Sequence, residues 1–264
     1  MQRRPIAWRG VVLPLALLAL AEAAMRARGI ESDALARPSD IAHALWDALR
    51  DGSLLAASLQ TLGAALAGLA LGGGLGLLAG LWFGLSSRAE RWSLLSVELL
   101  RPIPSVALIP LAMLVFGFGY RMEIAVVAFT TFWPMLLLTQ AALREVEPRL
   151  FEVAQVLGFA AHERVAKIVL PAAAPRVFVA FRLGVGIALV VAVTAEIAAN
   201  PQGLGFGLMS AQQNLRPDLM FALLLWLGAL GWALSAGLLA LERHWFRHAV
   251  MSDATADARA GAQP

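Results

Sequence analysis

Residues 59–85 read LQTLGAALAGLALGGGLGLLAGLWFGL, running from Leu59 to Leu85 without one charged side chain. A helix rises about 1.5 Å per residue and the hydrocarbon core of a bilayer is about 30 Å thick, so roughly 20 apolar residues cross it. The stretch exceeds that length, and lipid is the solvent it implies. Within it Gly68, Gly72, Gly76, Gly80 and Gly84 recur at every fourth position. At about 100° per residue such a repeat makes a slowly drifting ridge without side chains. Apolar side chains gain little by exchanging lipid for protein, so close van der Waals approach must drive helix association. The ridge predicts one tightly packed helix pair; an interface that slides during function is the alternative.

The rest of the chain has the same character. Of its 264 residues 59% are hydrophobic and 15% charged, against about 45–50% and about 25% in soluble domains. Five further apolar blocks stand at Ile6–Ala24, Leu94–Phe116, Glu123–Leu143, Val177–Ala199 and Leu219–Leu241. The expected fold is all-α, a polytopic membrane protein with about six transmembrane helices. The first block is the weakest, since it contains Pro14 and Glu22. Pro102, Pro104 and Pro110 predict that the third span starts irregularly and turns helical after Pro110. Ile41, Leu45 and Leu49 have the spacing of an amphipathic helix lying near the interface. The organisation expected is a helix and external loop over residues 1–58, a transmembrane domain over 59–247, and a disordered tail over 248–264.

Arginine placement sets the orientation. With the N-terminus inside and six spans alternating, fifteen of the 21 basic residues fall on the inner side and six on the outer. The positive-inside rule then puts both termini in the cytoplasm of an inner, cytoplasmic membrane. A competing reading makes the N-terminus a signal peptide, with Ala21-Glu22-Ala23 as an A-x-A cleavage site.

Several chemistries are excluded. The chain has no cysteine, hence no disulfide and no thiolate ligand or nucleophile. Lys167 is the only lysine, preceded by Ala166 and followed by Ile168, so no G-x-x-x-x-G-K-[ST] loop exists. Any ATP must be hydrolysed on a partner; the chain itself is read as no enzyme and as needing no cofactor. Gly203, Gly205 and Gly207 put Leu208 where a dinucleotide loop needs its third glycine. His244 and His248 stand four residues apart but read as an interfacial helix end, and no metal site is expected. Ser210 has no histidine in any expected span, which rejects a serine hydrolase. No basic, aromatic-interleaved soluble face points to nucleic acid. Ionisable and hydroxyl groups in the spans are candidate pathway residues: Glu196, Thr130, Thr131 and Thr194, with Glu98 and Arg101 close enough to pair near the inner interface.

The longest expected inner loop is Arg144–Arg176. Leu150, Phe151, Ala154 and Leu157 follow helical spacing, with Gly158 as a stop. A second short helix, about Ala161–Val169, is expected to end at Leu170-Pro171. A helix–Gly–helix elbow with an apolar face could seat in a partner's cleft and pass force into both flanking spans; an ordinary loop helix on the membrane surface is the alternative. Glu152, Ala154, Gly158, Ile168, Leu170 and Pro171 match in identity and spacing the EAA loop, which this loop resembles, of binding-protein-dependent ABC transporter permeases; Val153 replaces that pattern's first alanine. Leu100-Arg101-Pro102-Ile103-Pro104, Ala107-Leu108-Ile109-Pro110, Ala195-Glu196-Ile197 and Gly203-Leu204-Gly205 are similar to the nitrate/sulfonate/taurine branch of that family.

The resemblance implies a type I importer permease of MetI-like architecture. It implies two permease copies, a homodimer, around a pathway. It implies two separate ATPase subunits receiving the coupling helices at Phe151, Glu152, Ala154 and Gly158, with Leu170 and Pro171 behind. It also implies an external solute-binding protein, and a small anion such as a sulfonate, taurine or nitrate as cargo. The rival from another class is a self-contained secondary transporter or channel, which would show an internal repeat with matching broken helices.

Overall fold

In a computed structural model the protein is described over residues 8–27 and 34–245, and its architecture there is helical. The expected tail at 248–264 and residues 6 and 7 of the first apolar block lie outside these residues. In chain order the helices are α1 (Trp8–Ala27), α2 (Pro38–Arg50), α3 (Ser53–Leu85), α4 (Ser87–Leu100) and α5 (Ser105–Phe116). They continue with α6 (Tyr120–Arg144), α7 (Pro148–Val156), α8 (His162–Ala199), α9 (Gly203–Gln213) and α10 (Pro217–Trp245).

Among the described residues α3, α6, α8 and α10 are each long and apolar enough to cross a membrane, and the bent pair α4–α5 makes up to five. The first block is helical as α1; its Leu13, Leu17 and Leu20 are exposed. Glu22, the oddity of that block, ties it to α2. Its carboxylate accepts from the Ser39 backbone N–H at 3.1 Å and the Ser39 hydroxyl at 2.9 Å, satisfying the open N-terminus of α2.

The expected start of the third span needs correction. Residues before Pro102 are helical, because the Ser86 hydroxyl accepts from the Ala89 N–H and caps α4. The chain then breaks over residues 101–104 and re-enters a helix at Ser105, with a 79° bend between α4 and α5. Pro102 and Pro104 lack the N–H donors that would carry α4 onward.

A second correction concerns Leu170-Pro171, where a helix was expected to end. The helix instead continues through it into α8. A π turn over Val165–Val169 directs the Leu170 N–H to the Val165 carbonyl, five residues back. The ring of Pro171 would clash with a carbonyl four residues back in a regular helix, and the widened turn relieves it.

The core is centred on α6, which α3, α5 and α8 surround. Its main cluster joins Ala65 and Leu69 of α3, Ile109 and Ala112 of α5, Met122, Val126 and Val127 of α6, and Val185, Ala188 and Ala192 of α8. A second cluster packs α2, α3, α9 and α10 around Leu54, Leu204 and Leu223. Only 11% of the most apolar window of α10 is buried, against 39–44% for the other three long helices, so α10 is the peripheral one.

Candidate functional site

The five-glycine ridge of α3 runs along α6. A Cβ on Gly68 would meet Val127, on Gly72 the Ala128 carbonyl, and on Gly76 the Phe132 carbonyl. One on Gly80 would meet Leu136 and Thr139, and one on Gly84 would meet Leu143. Backbone lies on backbone here, an approach no side chain allows. A π turn at Leu69–Gly73 sits within the ridge.

At one end of this bundle is the elbow. α6 ends with Arg144 in an ion pair to Glu90 of α4. Val146 is buried with Ala142 and Leu143 of α6 and Val169 and Ala173 of α8, so both flanking helices grip the elbow's base. Arg176 reaches back from α8 to Glu145, bonding its carbonyl at 3.2 Å and its carboxylate at 3.1 Å. α7 closes with Gly158 at φ +71°, and the Phe159 N–H bonds the Ala154 carbonyl at 3.0 Å. That is a Schellman cap, with glycine where the left-handed conformation disfavours other residues. Ala154 is fully buried, which requires a small residue.

On the far side of the cap, Glu163 accepts from the Ala160 N–H at 3.0 Å and pairs with Lys167 at 2.9 Å, while the Lys167 ammonium sits 4.9 Å from the Phe159 ring centre. Outward the elbow exposes Glu152, Val153, Val156 and Leu157; Val156 is 88% exposed. Leu170 and Pro171 lie behind it on α8, both exposed.

At the opposite end of α8 is a buried polar knot that the sequence did not reveal as a unit. Glu196 accepts from the Thr61 hydroxyl at 2.6 Å and the Gly205 N–H at 2.7 Å, and the Leu204 N–H donates to Thr61 Oγ1 at 2.9 Å. The carboxylate thus closes the N-terminus of α9. Gly203, at φ +90°, and Gly205 leave it room, since a Cβ at either would strike Glu196. Beside it the Asn200 amide donates to Glu123 at 2.6 Å. All four polar side chains are at most 3% exposed. The Ala195-Glu196-Ile197 and Gly203-Leu204-Gly205 signals are two halves of one joint; Thr61, Glu123 and Asn200 carried no signal beyond being polar residues beside apolar runs.

Thr130, Thr131 and Thr194 each direct their hydroxyl to their own helix, onto the Val126, Val127 and Val190 carbonyls at 2.7–2.9 Å. Thr130 also lines a cleft with Arg101. Arg101 and Glu98 form no ion pair; Arg182 of α8 does find a carboxylate between helices, 2.9 Å from Glu242 of α10, as Arg144 does at Glu90. Among the described residues no three acidic, histidine or cysteine side chains gather as a metal site would require, and His248 lies outside them.

Residues 72–247 match the profile of the family described as binding-protein-dependent transport system inner membrane component. A Bacillus subtilis (strain 168) protein whose name describes an aliphatic sulfonates transport permease, SsuC, is 33% identical over 221 residues, covering 83% of this chain and 80% of that one. Its Escherichia coli (strain K12) namesake is 30% identical over 235 residues, covering 89% of each chain. Among solved structures, a chain of the inward-facing MetNI methionine ABC transporter superposes with a TM-score of 0.60 at 18% identity, over 80% of this chain and 99% of that one. At that identity the likeness speaks for the fold.

Proposed function

We propose that this chain, which belongs to the family of binding-protein-dependent transport system inner membrane components, imports a small sulfonate-like oxyanion, with taurine and nitrate in the same class. It is a multi-pass inner-membrane permease subunit of an ABC importer, is not itself catalytic, and works with an ATPase and a solute-binding protein. The elbow at Leu150–Gly158 is where one ATPase subunit seats, and two copies of this chain enclose the pathway. The observation carrying this reading is the elbow's construction. Its base is buried between α6 and α8 while Val153, Val156 and Leu157 stand exposed at its tip. A rigid lever with an apolar end transmits a push from a partner into two spans, as a switch between two states requires. The sulfonate class rests on the names of the two SsuC relatives.

Orientation follows from linked ends. Glu90 with Arg144, Glu145 with Arg176, and Arg182 with Glu242 belong to one membrane side, and the arginine excess makes that side cytoplasmic. A cytoplasmic placement of both termini belongs to the six-span reading, in which α1 crosses the membrane as well.

The test is reconstitution of the full chain with its ATPase and binding protein in proteoliposomes. Gly158→Pro and Glu152→Lys are each expected to lower sulfonate uptake at least tenfold, the protein still inserting and the ATPase still turning over. Wild-type uptake and unchanged ATPase co-purification in both variants would show that the elbow is not the coupling element.

A further inference from the structure

Non-helical backbone at membrane depth is tolerated only where protein covers it or where it lines a water-filled cavity. The break over residues 101–104 between α4 and α5 does line a cavity. A cleft of about 410 Å³ is bounded by this break, by the middle turns of α6 and by α8. That volume falls in the roughly 300–1,000 Å³ range of small-ligand sites. Thr130, Trp133 and Pro134, which line it, lie midway along the 25-residue α6.

The donors of the cleft are unusual in having nothing to bind. The Arg101 guanidinium forms no ion pair or hydrogen bond within the described residues, although its backbone N–H bonds the Val97 carbonyl at 3.0 Å, and the Ser105 hydroxyl has no partner there either. Trp133 is 9% exposed and its indole nitrogen is closed off from solvent, so the ring forms part of the cleft wall and its N–H does not open into the cavity. The Arg101 side chain is exposed, so its charge is open to a ligand entering the cleft. No carboxylate lines the cleft, so its charge is positive and unopposed. Phe129 and Ile187 supply an apolar wall.

We propose that this cleft is an oxyanion site of the permease itself, at which the cargo is held in transit. The ligand class is a small monoanion with three terminal oxygens and a short alkyl group, of which an alkanesulfonate is the type. The guanidinium fork of Arg101 takes two oxygens in parallel, as it does for carboxylates and phosphates. The Ser105 hydroxyl serves the remaining oxygen, and Phe129 and Ile187 take the alkyl group. A transit site must bind weakly enough to release, and one charge with few donors in an open cleft satisfies that. The proposal rests on the permease reading and adds that selectivity does not reside wholly in the binding protein.

The probe is sodium ethanesulfonate titrated calorimetrically into the full chain in nanodiscs, with sodium nitrate as the oxyanion lacking an alkyl group and choline chloride as the cationic control. The expected result is saturable binding of ethanesulfonate, weaker binding of nitrate and none of choline, with affinity for ethanesulfonate falling at least tenfold in Arg101→Gln and at least threefold in Ser105→Ala. Ser105→Ala removes one hydroxyl and no charge, so it reads the site even where the arginine variant does not insert. No binding to the wild-type chain, or equal binding to all three proteins, overturns the site. Uptake by the reconstituted importer separates the two ideas: binding-protein-dependent uptake without a binding event in the cleft sinks this site alone, whereas no ATP-driven uptake at all sinks the permease reading.

Discussion

At the scale of single residues, Glu196 joins three parts of the chain. Its carboxylate is the acceptor for an α9 backbone N–H and for Thr61 of α3. Glu196→Leu strands the Gly205 N–H in the interior, at about 1–3 kcal/mol for one buried donor. Glu196→Gln retains an acceptor oxygen and gains an amide that can donate to the neighbouring Glu123. The leucine variant is therefore expected to lower the thermal midpoint of the detergent-purified protein more than the glutamine variant; the reverse order would remove Glu196 as the closure of α9. Glu196 was recognisable in the sequence as an ionisable group in an apolar run. Its neighbours were not, because Thr61 stands 135 residues away and periodicity carries no information about such a pairing. Arg101 shows the same limit: its nearness to Glu98 allowed an ion pair that the structure does not form.

At the scale of elements, the glycine repeat was legible because helical geometry alone fixes which positions share a stripe; its neighbour α6 was not, since many spans could have filled that role. Two glycines a short distance apart separate ridge from background. A Cβ on Gly72 would fall on the Ala128 carbonyl, whereas one on Gly74 would meet nothing within 4 Å. Gly72→Ala is expected to destabilise by about 1–3 kcal/mol through overpacking, and Gly74→Ala to be neutral or stabilising by up to about 1 kcal/mol through helix propensity. Unfolding of both variants in the same detergent checks the contrast, and equal midpoints would count against backbone contact along the ridge. The bend at residues 101–104 and the π turn before Pro171 were only partly readable. Proline announces that a regular helix cannot persist, but does not say whether the chain stops, bends or widens.

At the scale of the whole molecule, sidedness is open to direct measurement because the sequence contains no cysteine. Glu152→Cys in the elbow and Asn214→Cys after α9, both exposed positions, mark opposite surfaces in the proposed orientation. A membrane-impermeant maleimide applied to intact spheroplasts is expected to label position 214 and to reach position 152 only after lysis; the opposite pattern would invert the topology. Apolar run lengths and arginine bias made most of the span order legible, but the ties between helix ends emerged only in three dimensions. α8 adds a mechanical consequence. It runs for 38 residues, about 57 Å at about 1.5 Å per residue, with its foot in the gripped base and its head in the glutamate joint. A beam of that length, held against α6 between its extremities through Val185 and Ala188, behaves as a see-saw: tilt imposed at one mouth of the bundle must reappear, reversed in sense, at the other.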